Sequence, residues 1–357
     1  MKKVENTILA ESSPEASLRT DIVEVALIGN PNTGKTSVFN ALTGLRQKVG
    51  NYPGVTVEKK TGIIIAPDAT KIHIHDLPGL YSLIPKSLDD KITVDVLSDA
   101  STNTNRLKLV VMVADASNLE RNLYLLSQVL DLGLPVILAL NMVDIARARG
   151  LEIDVEKLSQ ALGIPVIPVM GKKRLGIPQL RQKIFDHAQH AIPPAPAALE
   201  IDEEITAEIT PLIDWFLTCY GLSFYAARAQ ALRALANGSI SSKNATFNSQ
   251  PLNGNYIELQ QLIEETRERL SQKNISWEMI ESNIRYNWVD KICRNAICKE
   301  NDKEVSLSEK MDRGLTHRVA GPAIFMFVFA VIFQSIFSWA EVPMEAIENG
   351  ISWVGAQ

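Results

Sequence analysis

An excess of positive charge is what this 357-residue chain most plainly lacks: 36 Lys and Arg stand against 41 Asp and Glu, for a net charge of −5. Such a balance exerts no general pull on nucleic-acid phosphates and disfavours an RNA- or DNA-coating role. Cysteine is scarce too. Cys219, Cys293 and Cys298 form no CxxC pair and have no histidine at zinc-site spacing. They argue against a disulfide framework or structural zinc, fit a reducing cytoplasmic compartment, and read as small core residues on helices. Internal repeats are absent. Near the start, Glu5 and Asn6 interrupt any apolar stretch after Lys2 and Lys3, so residues 1–21 read as a loose arm rather than a signal peptide.

What is present begins with GNPNTGKT, Gly29 to Thr36, between the apolar run IVEVALI and the helix-spaced SVFNALTGL. Two glycines and a Lys-Thr pair at this spacing, between a strand and a helix, are what a phosphate-cradling loop requires. Backbone N–H groups converge on the oxygens, Lys35 supplies a cation, and Thr36 supplies a hydroxyl for magnesium. Gly29, Asn30, Asn32, Thr33, Gly34, Lys35, Thr36 and Ser37 are therefore the candidate nucleotide-binding residues of this loop.

From residue 22 to 189, short Val- and Ile-rich runs alternate with helix-spaced segments: VEVALIG, TGIIIA, KIHIHDLPG, LKLVVMVAD, LPVILALNMVD and IPVIPVM. The alternation predicts an α/β fold, a mostly parallel sheet with helices on both faces, whose ligand lies beyond the carboxyl ends of the strands. A Pro- and Ala-rich linker over residues 190–204 introduces a small all-helical domain, residues 205–300, with a polar exposed loop in SISSKNATFNSQPLNGN. After a second linker, 301–318, the uncharged run Val319 to Ala340 is long enough to cross ~30 Å of hydrocarbon as one helix. Arg313, His317 and Arg318 precede it and Glu341, Glu345 and Glu348 follow it. That bias places residues 1–318 on the cytoplasmic side and 341–357 beyond the membrane, with lipid as a partner of the span.

Two further motifs end predicted strands. DLPG places Asp76 to hold magnesium through water and Gly79 to meet a γ-phosphate. NMVD places Asn141, Met142 and Asp144 where the Asp144 carboxylate can accept N1–H and the 2-amino protons of guanine but would repel adenine, which offers an acceptor at N1. Phosphate loop, threonine-bearing loop, DLPG and NMVD, in that order, is the order of Ras-like GTPases. GTP and GDP are the expected ligands.

At these residues the chain resembles the bacterial ferrous iron transport protein B family, FeoB. The likeness rests on GNPNTGKTSVFNALTG, VGNYPGVTVEKKTG, HDLPGLYSL, DASNLERNLYL, LALNMVD and LTHRVAGPAIF, over about residues 22 to 340. It implies a Mg²⁺-dependent GTPase module of a membrane transporter, with the remaining membrane domain as its partner. Lys35 would bind the β- and γ-phosphates, Thr36 and Thr56 would meet magnesium, Gly79 would sense the γ-phosphate, and Asn141 and Asp144 would select guanine. Thr56 falls in GNYPGVTV, which looks like the family's first switch. Asn32 resembles the asparagine that ligates potassium in cation-activated GTPases, which would make K⁺ a second cofactor.

Three departures from the wider GTPase pattern bear on mechanism. Leu80 follows DLPG where Ras-like proteins carry a water-orienting glutamine, so hydrolysis should be slow or use another group. Met142 replaces the lysine of NKxD. VMGKKRLGI, around Gly171, lacks the Ser-Ala-Lys loop that buttresses guanine elsewhere, so nucleotide affinity should be modest. His73 and His75 share a strand face that is either solvated or a metal pair, and the carboxylates of SLDDK read as surface. A soluble RNA- or ribosome-associated GTPase is the rival reading, opposed by the acidic average and the terminal span. A nucleotide-binding tether without turnover is another. Self-association is left open.

Overall fold

The protein was analysed as a computed structural model, which describes residues 22–44, 47–51, 58–102, 107–189, 199–237, 256–299, 311, 314–335, 347, 351–352 and 355. The chain divides into two compact units, Met1–Lys299 and Glu300–Gln357. In the first, β1 (Val23–Gly29) runs parallel to β4 (Lys71–Asp76) on one side and to β5 (Leu109–Asp115) on the other. Beyond β5 follow β6 (Val136–Asn141) and β8 (Val166–Pro168), both parallel. Beyond β4 the direction reverses, with β3 (Glu58–Ile65) and then β2 (Gln47–Asn51) antiparallel at the edge. The order is β2-β3-β4-β1-β5-β6-β8. All six runs read as strands from the sequence are strands of this sheet, and β2 is its one member they missed. Its QKVGN offers a single large apolar residue, Val49, which is exposed, so an edge strand paired on one side leaves no hydrophobic alternation to read.

Strand alternation sorts the core into two layers. Val25, Leu27, Ile72, Ile74, Leu109 and Val111 point to the face covered by α1 (Lys35–Thr43) and α6 (Ile177–Gln189). Ala26, Ile28, Val110, Met112 and Leu138 point to the other, under α2 (Leu88–Thr102), α3 (Leu119–Leu130) and α5 (Val155–Leu162). A short helix, α4 (Val143–Ala148), follows β6. Within SLDDK, Ser87 and Asp90 cap α2: Asp90 accepts the N–H groups of Lys86 and Ser87, each at 3.0 Å, while Ser87 Oγ accepts the Asp90 N–H at 3.1 Å.

The helical part is α7 (Glu203–Tyr220), α8 (Phe224–Asn237), α9 (Tyr256–Gln272) and α10 (Ile280–Ala296). Each was legible from apolar spacing, and their buried side chains continue the second core layer. The polar loop expected between α8 and α9 and the Pro-rich residues 190–198 lie outside the described residues. One expectation is corrected. The helical part was read as free of strands, but the chain after α10 turns into β9 (Ile297–Lys299), antiparallel to β7 (Leu151–Ile153) of the α/β part. Three residues are too few to show a period. The cysteine reading also needs correction, since only Cys293 is buried while Cys219 and Cys298 are exposed. Burial pushes the Cys293 thiol up to about 12, as befits an inert core residue.

A buried ion network joins α10 to α3. Arg285 has no exposed surface; its Nη2 donates to Asp131 Oδ2 at 2.7 Å, its Nε to Glu281 at 2.9 Å and its Nη1 to Ser127 Oγ at 3.1 Å. Arg228 lies 3.6 Å from Asp131 and Arg233 3.5 Å from Glu281, so two carboxylates face three guanidinium groups. Burial pushes the Glu281 carboxyl up, but the charges of Arg285 and Arg233 outweigh it and hold the group below its ordinary value.

In the second unit, α11 (Ala320–Gln334) is the described part of the run read as a membrane span, and it leaves Phe325, Phe327, Phe329 and Phe333 exposed. Among the described residues no helix is long and apolar enough to cross a membrane. Residues 336–340, which the expected span includes, lie outside them.

Arg285→Ala would leave Asp131 and Glu281 buried with less compensation, so urea unfolding should show a loss of about 3–5 kcal/mol. Because the Glu281 carboxyl is depressed in the folded chain, its contribution is complete above the ordinary value of 4.5 and is lost as pH falls through the lower folded value. The deficit of the variant relative to the parent should therefore shrink in acid.

Candidate functional site: a nucleotide pocket at the strand ends

The C-terminal ends of β1, β4, β5 and β6 bring the predicted motifs to one rim of the sheet. After β1, Asn30 to Gly34 turn tightly: Thr33 N–H and Thr33 Oγ1 both donate to Asn30 O, at 3.4 and 2.9 Å. Asn32 stands in the left-handed region at φ 67° and Gly34 follows at φ 79°. Thr33 is buried with its hydroxyl spent inside the loop, whereas Asn32 and Thr36 are exposed. α1 starts at Lys35 without a side-chain cap, so its first N–H groups stay free of side-chain acceptors.

Gly34 is fixed by a neighbour as well as by its dihedral angle. A Cβ there would stand 2.4 Å from Asn141 Nδ2. Asn141, the last residue of β6, is buried, and its carboxamide is shared between two loops. Nδ2 donates to Thr33 O at 2.8 Å, and Oδ1 accepts the Gly171 N–H at 3.1 Å. The role inferred for Asn141 was selection of guanine; what the structure displays is a tie between the phosphate loop, NMVD and the loop at Gly171. One amide N–H remains beyond that tie. Gly171 packs so closely on α1 that a Cβ would meet the Val38 nitrogen at 3.0 Å.

Met142 is left-handed, φ 60°, at the N-cap of α4, and its methyl lies 3.3 Å from where a Gly34 Cβ would be. That stem is turned to the phosphate loop. The Asp144 carboxylate is open to solvent and forms a 2.9 Å ion pair with Lys173. The hydrogen bond from Lys173 holds the Asp144 carboxyl below its ordinary value. Lys173 was not singled out by the sequence: GKKR offers three cations in a row, and nothing in that run says which faces Asp144.

Lys35 and Asp76 form an ion pair between β4 and the start of α1. Following Asp76, Leu77 N–H donates to Leu27 O at 3.1 Å and Leu80 N–H to Gly29 O at 3.3 Å, which seats DLPG along β1. A Cβ on Gly79 would be 3.2 Å from Pro31 N, so this glycine lies directly against the phosphate loop. Leu80 is 1 % exposed, its side chain in the core beneath α2 and α3. The position that carries glutamine in Ras-like proteins therefore faces away from the pocket. Thr56 lies outside the described residues.

Thr36 follows Lys35 in the first turn of α1 and the Asp76 carboxylate meets Lys35; both offer hard oxygen, the donor type suited to magnesium. His73 and His75 take neither of the two readings alone: both are partly buried and both face Glu24, His73 Nδ1 at 3.3 Å, while His75 also meets Thr61 Oγ1 at 3.0 Å. Among the described residues no group of three or more His, Cys, Asp and Glu could hold a metal ion.

A mostly parallel sheet whose strand ends gather a phosphate loop, DLPG and NMVD defines a Ras-like G domain. Residues 23–184 match the family model described as "Ferrous iron transport protein B". Among solved structures, a GDP-bound mutant of S. thermophilus NFeoB is 34 % identical with a TM-score of 0.65, over 77 % of this chain and 100 % of that one. The cytosolic domain of L. pneumophila FeoB is 36 % identical with a TM-score of 0.62, over 78 % and 100 %. Among curated proteins, the Fe(2+) transporter FeoB of Legionella pneumophila strain Paris is 36 % identical over 92 % of this chain and 42 % of its own length. A transport protein A/transporter FeoB fusion of Porphyromonas gingivalis is 34 % identical over 94 % and 39 %. The chain belongs to the FeoB family. It spans about two-fifths of the length of the curated relatives it matches.

Gly34→Ala should abolish nucleotide binding while leaving most of the fold intact, since the new methyl meets Asn141 Nδ2 at 2.4 Å in a left-handed backbone. Titration with a fluorescent GDP analogue, beside a thermal melt, checks both halves.

Proposed function

We propose that this chain is the GTP-hydrolysing module of a ferrous iron transporter, cytoplasmic through residue 318 and attached to the membrane through residues 319–340. The remaining membrane domain of the transporter is its partner, and the moved iron is that domain's cargo. The observation that carries the reading is the arrangement at the strand ends: Asn141 ties the phosphate loop to the Gly171 loop, and DLPG lies against Pro31. Membership of the FeoB family supplies the transport half.

In this reading Lys35 leaves Asp76 for the β- and γ-phosphates, the free amide N–H of Asn141 faces the base, and Asp144 exchanges Lys173 for guanine. Thr36, Thr56 and Asp76, the last through water, hold Mg²⁺, which offsets charge on the β- and γ-oxygens when bound. Gly79 N–H senses the γ-phosphate. With Leu80 in the core, no side chain at that position orients water, which supports slow hydrolysis. Asn32, exposed and left-handed, directs the reading to a monovalent cation: its amide oxygen is a neutral donor suited to K⁺ beside the transferring phosphoryl group. The helical part reports the switch state to the membrane through α3, where Tyr124 meets Tyr286 of α10 at 5.0 Å between ring centroids and Asp131 meets Arg285.

Phosphate release should be faster in potassium than in sodium at equal ionic strength, and Asn32→Ala should remove that difference while sparing most of the GDP affinity. Matching rates in the two salts for the parent chain would refute the potassium role. Asp144→Ala should lose guanine preference, because two charge-assisted hydrogen bonds of roughly 1.5–3 kcal/mol each disappear. Unchanged GDP affinity in that variant would remove NMVD from base recognition.

A further inference from the structure

The residue after Leu80 turns the other way. Tyr81 is 44 % exposed, and the guanidinium carbon of Arg121, in the first turn of α3, lies 4.0 Å from its ring centroid. Arg121 is also bound to the phosphate loop through its backbone: Asn30 Nδ2 donates to Arg121 O at 3.3 Å. Further along α3, Gln128 Oε1 accepts the Leu83 N–H at 2.8 Å in a buried bond. The segment that begins at Gly79 is thus held on one helix at two points, about two turns apart and on one face.

The two holds differ in kind. The Gln128 bond is buried and fixed, while the Arg121 contact is an exposed cation–π interaction at the end nearest the nucleotide. The second lies at the Gly79 end, where it adds to the Leu80 N–H bond to Gly29 O and the Thr93 Oγ1 bond to Pro78 O, and it joins that end to a helix whose backbone is bonded to the phosphate loop. We infer that Arg121 is a positioning residue for triphosphate recognition: by clasping Tyr81 it keeps Gly79 N–H at a fixed distance from the phosphate loop. The inference rests on the assignment of Gly79 as the γ-phosphate sensor. Pre-organising a donor raises affinity only for the ligand that uses it. Arg121 therefore acts on triphosphate and not on diphosphate.

The test is the dissociation constant of GDP and of a non-hydrolysable GTP analogue, each with magnesium, on the full 357-residue chain. Arg121→Ala and Tyr81→Ala should each weaken the analogue about two- to fivefold, the span an exposed cation–π contact can shift, with GDP unchanged. Tyr81→Phe keeps the ring face and should behave as the parent, and the double alanine variant should lose no more than either single one. Equal weakening of both nucleotides, tighter analogue binding, no change, or a Tyr81→Phe that falls as far as Tyr81→Ala would each overturn the clasp. Gly79→Ala, whose Cβ would stand 3.2 Å from Pro31 N and push the N–H off its position, separates the two assignments. If it keeps the parent's analogue affinity, the Gly79 reading fails and the clasp with it; if it loses that affinity while Arg121→Ala does not, the clasp alone fails.

Discussion

The Asn141 carboxamide is the junction on which the pocket is built. A single buried amide donates to the phosphate loop and accepts from the loop at Gly171, so three segments far apart in sequence share one planar group. Its demands spread outward. A Cβ on Gly34 would collide with Nδ2, and one on Gly171, whose N–H approaches Oδ1, would crowd the Val38 backbone of α1. Buried amides left with an open donor or acceptor are costly, so each loop holds the others in place. The residue types of the phosphate loop are thereby constrained by protein contacts before any ligand is considered.

Around that junction, two cation–carboxylate contacts occupy groups that the proposed reading gives to the nucleotide. Lys35 lies on Asp76 and Lys173 on Asp144. The second pair is open to solvent, so water and salt screen it, and its effect on affinity is small. The first is largely buried, and binding phosphate there means exchanging one anion for another around a single ammonium group. The modest affinity expected from the missing Ser-Ala-Lys loop would have a physical source in the Lys35–Asp76 contact.

Much of the architecture was legible because its signals are long and periodic. Six strands with Val- and Ile-rich runs and four amphipathic helices each bury enough apolar surface to mark themselves. The phosphate loop, DLPG and NMVD were legible because backbone chemistry demands glycine, lysine and aspartate at set spacings. What escaped notice has little side-chain signature: β2 at the edge, and the three-residue strands β7 and β9. In the site, Arg121, Gln128 and Lys173 escaped for another reason. Their partners are distant in sequence, and an arginine, glutamine or lysine on a helix or in a basic run is, by type, an ordinary surface residue. The same holds for Arg285, a helix arginine by sequence and, among the described residues, the most deeply buried charge by structure.

The short pairing of β7 with β9 has a mechanical meaning. β9 is the last described strand of the first unit, and the chain leaves it at Lys299 for the residues of the second. Any tension carried along the backbone from residues 300–357 is delivered first to a three-residue ladder, braced by the Asp154 N–H bond to Ala296 O at 2.9 Å. On the other side of that ladder, β7 follows α4 after a brief turn, and α4 carries Asp144. A pull on residue 300 would thus pass through β9 and β7 toward α4, a covalent and hydrogen-bonded route that lies outside the seven-stranded sheet.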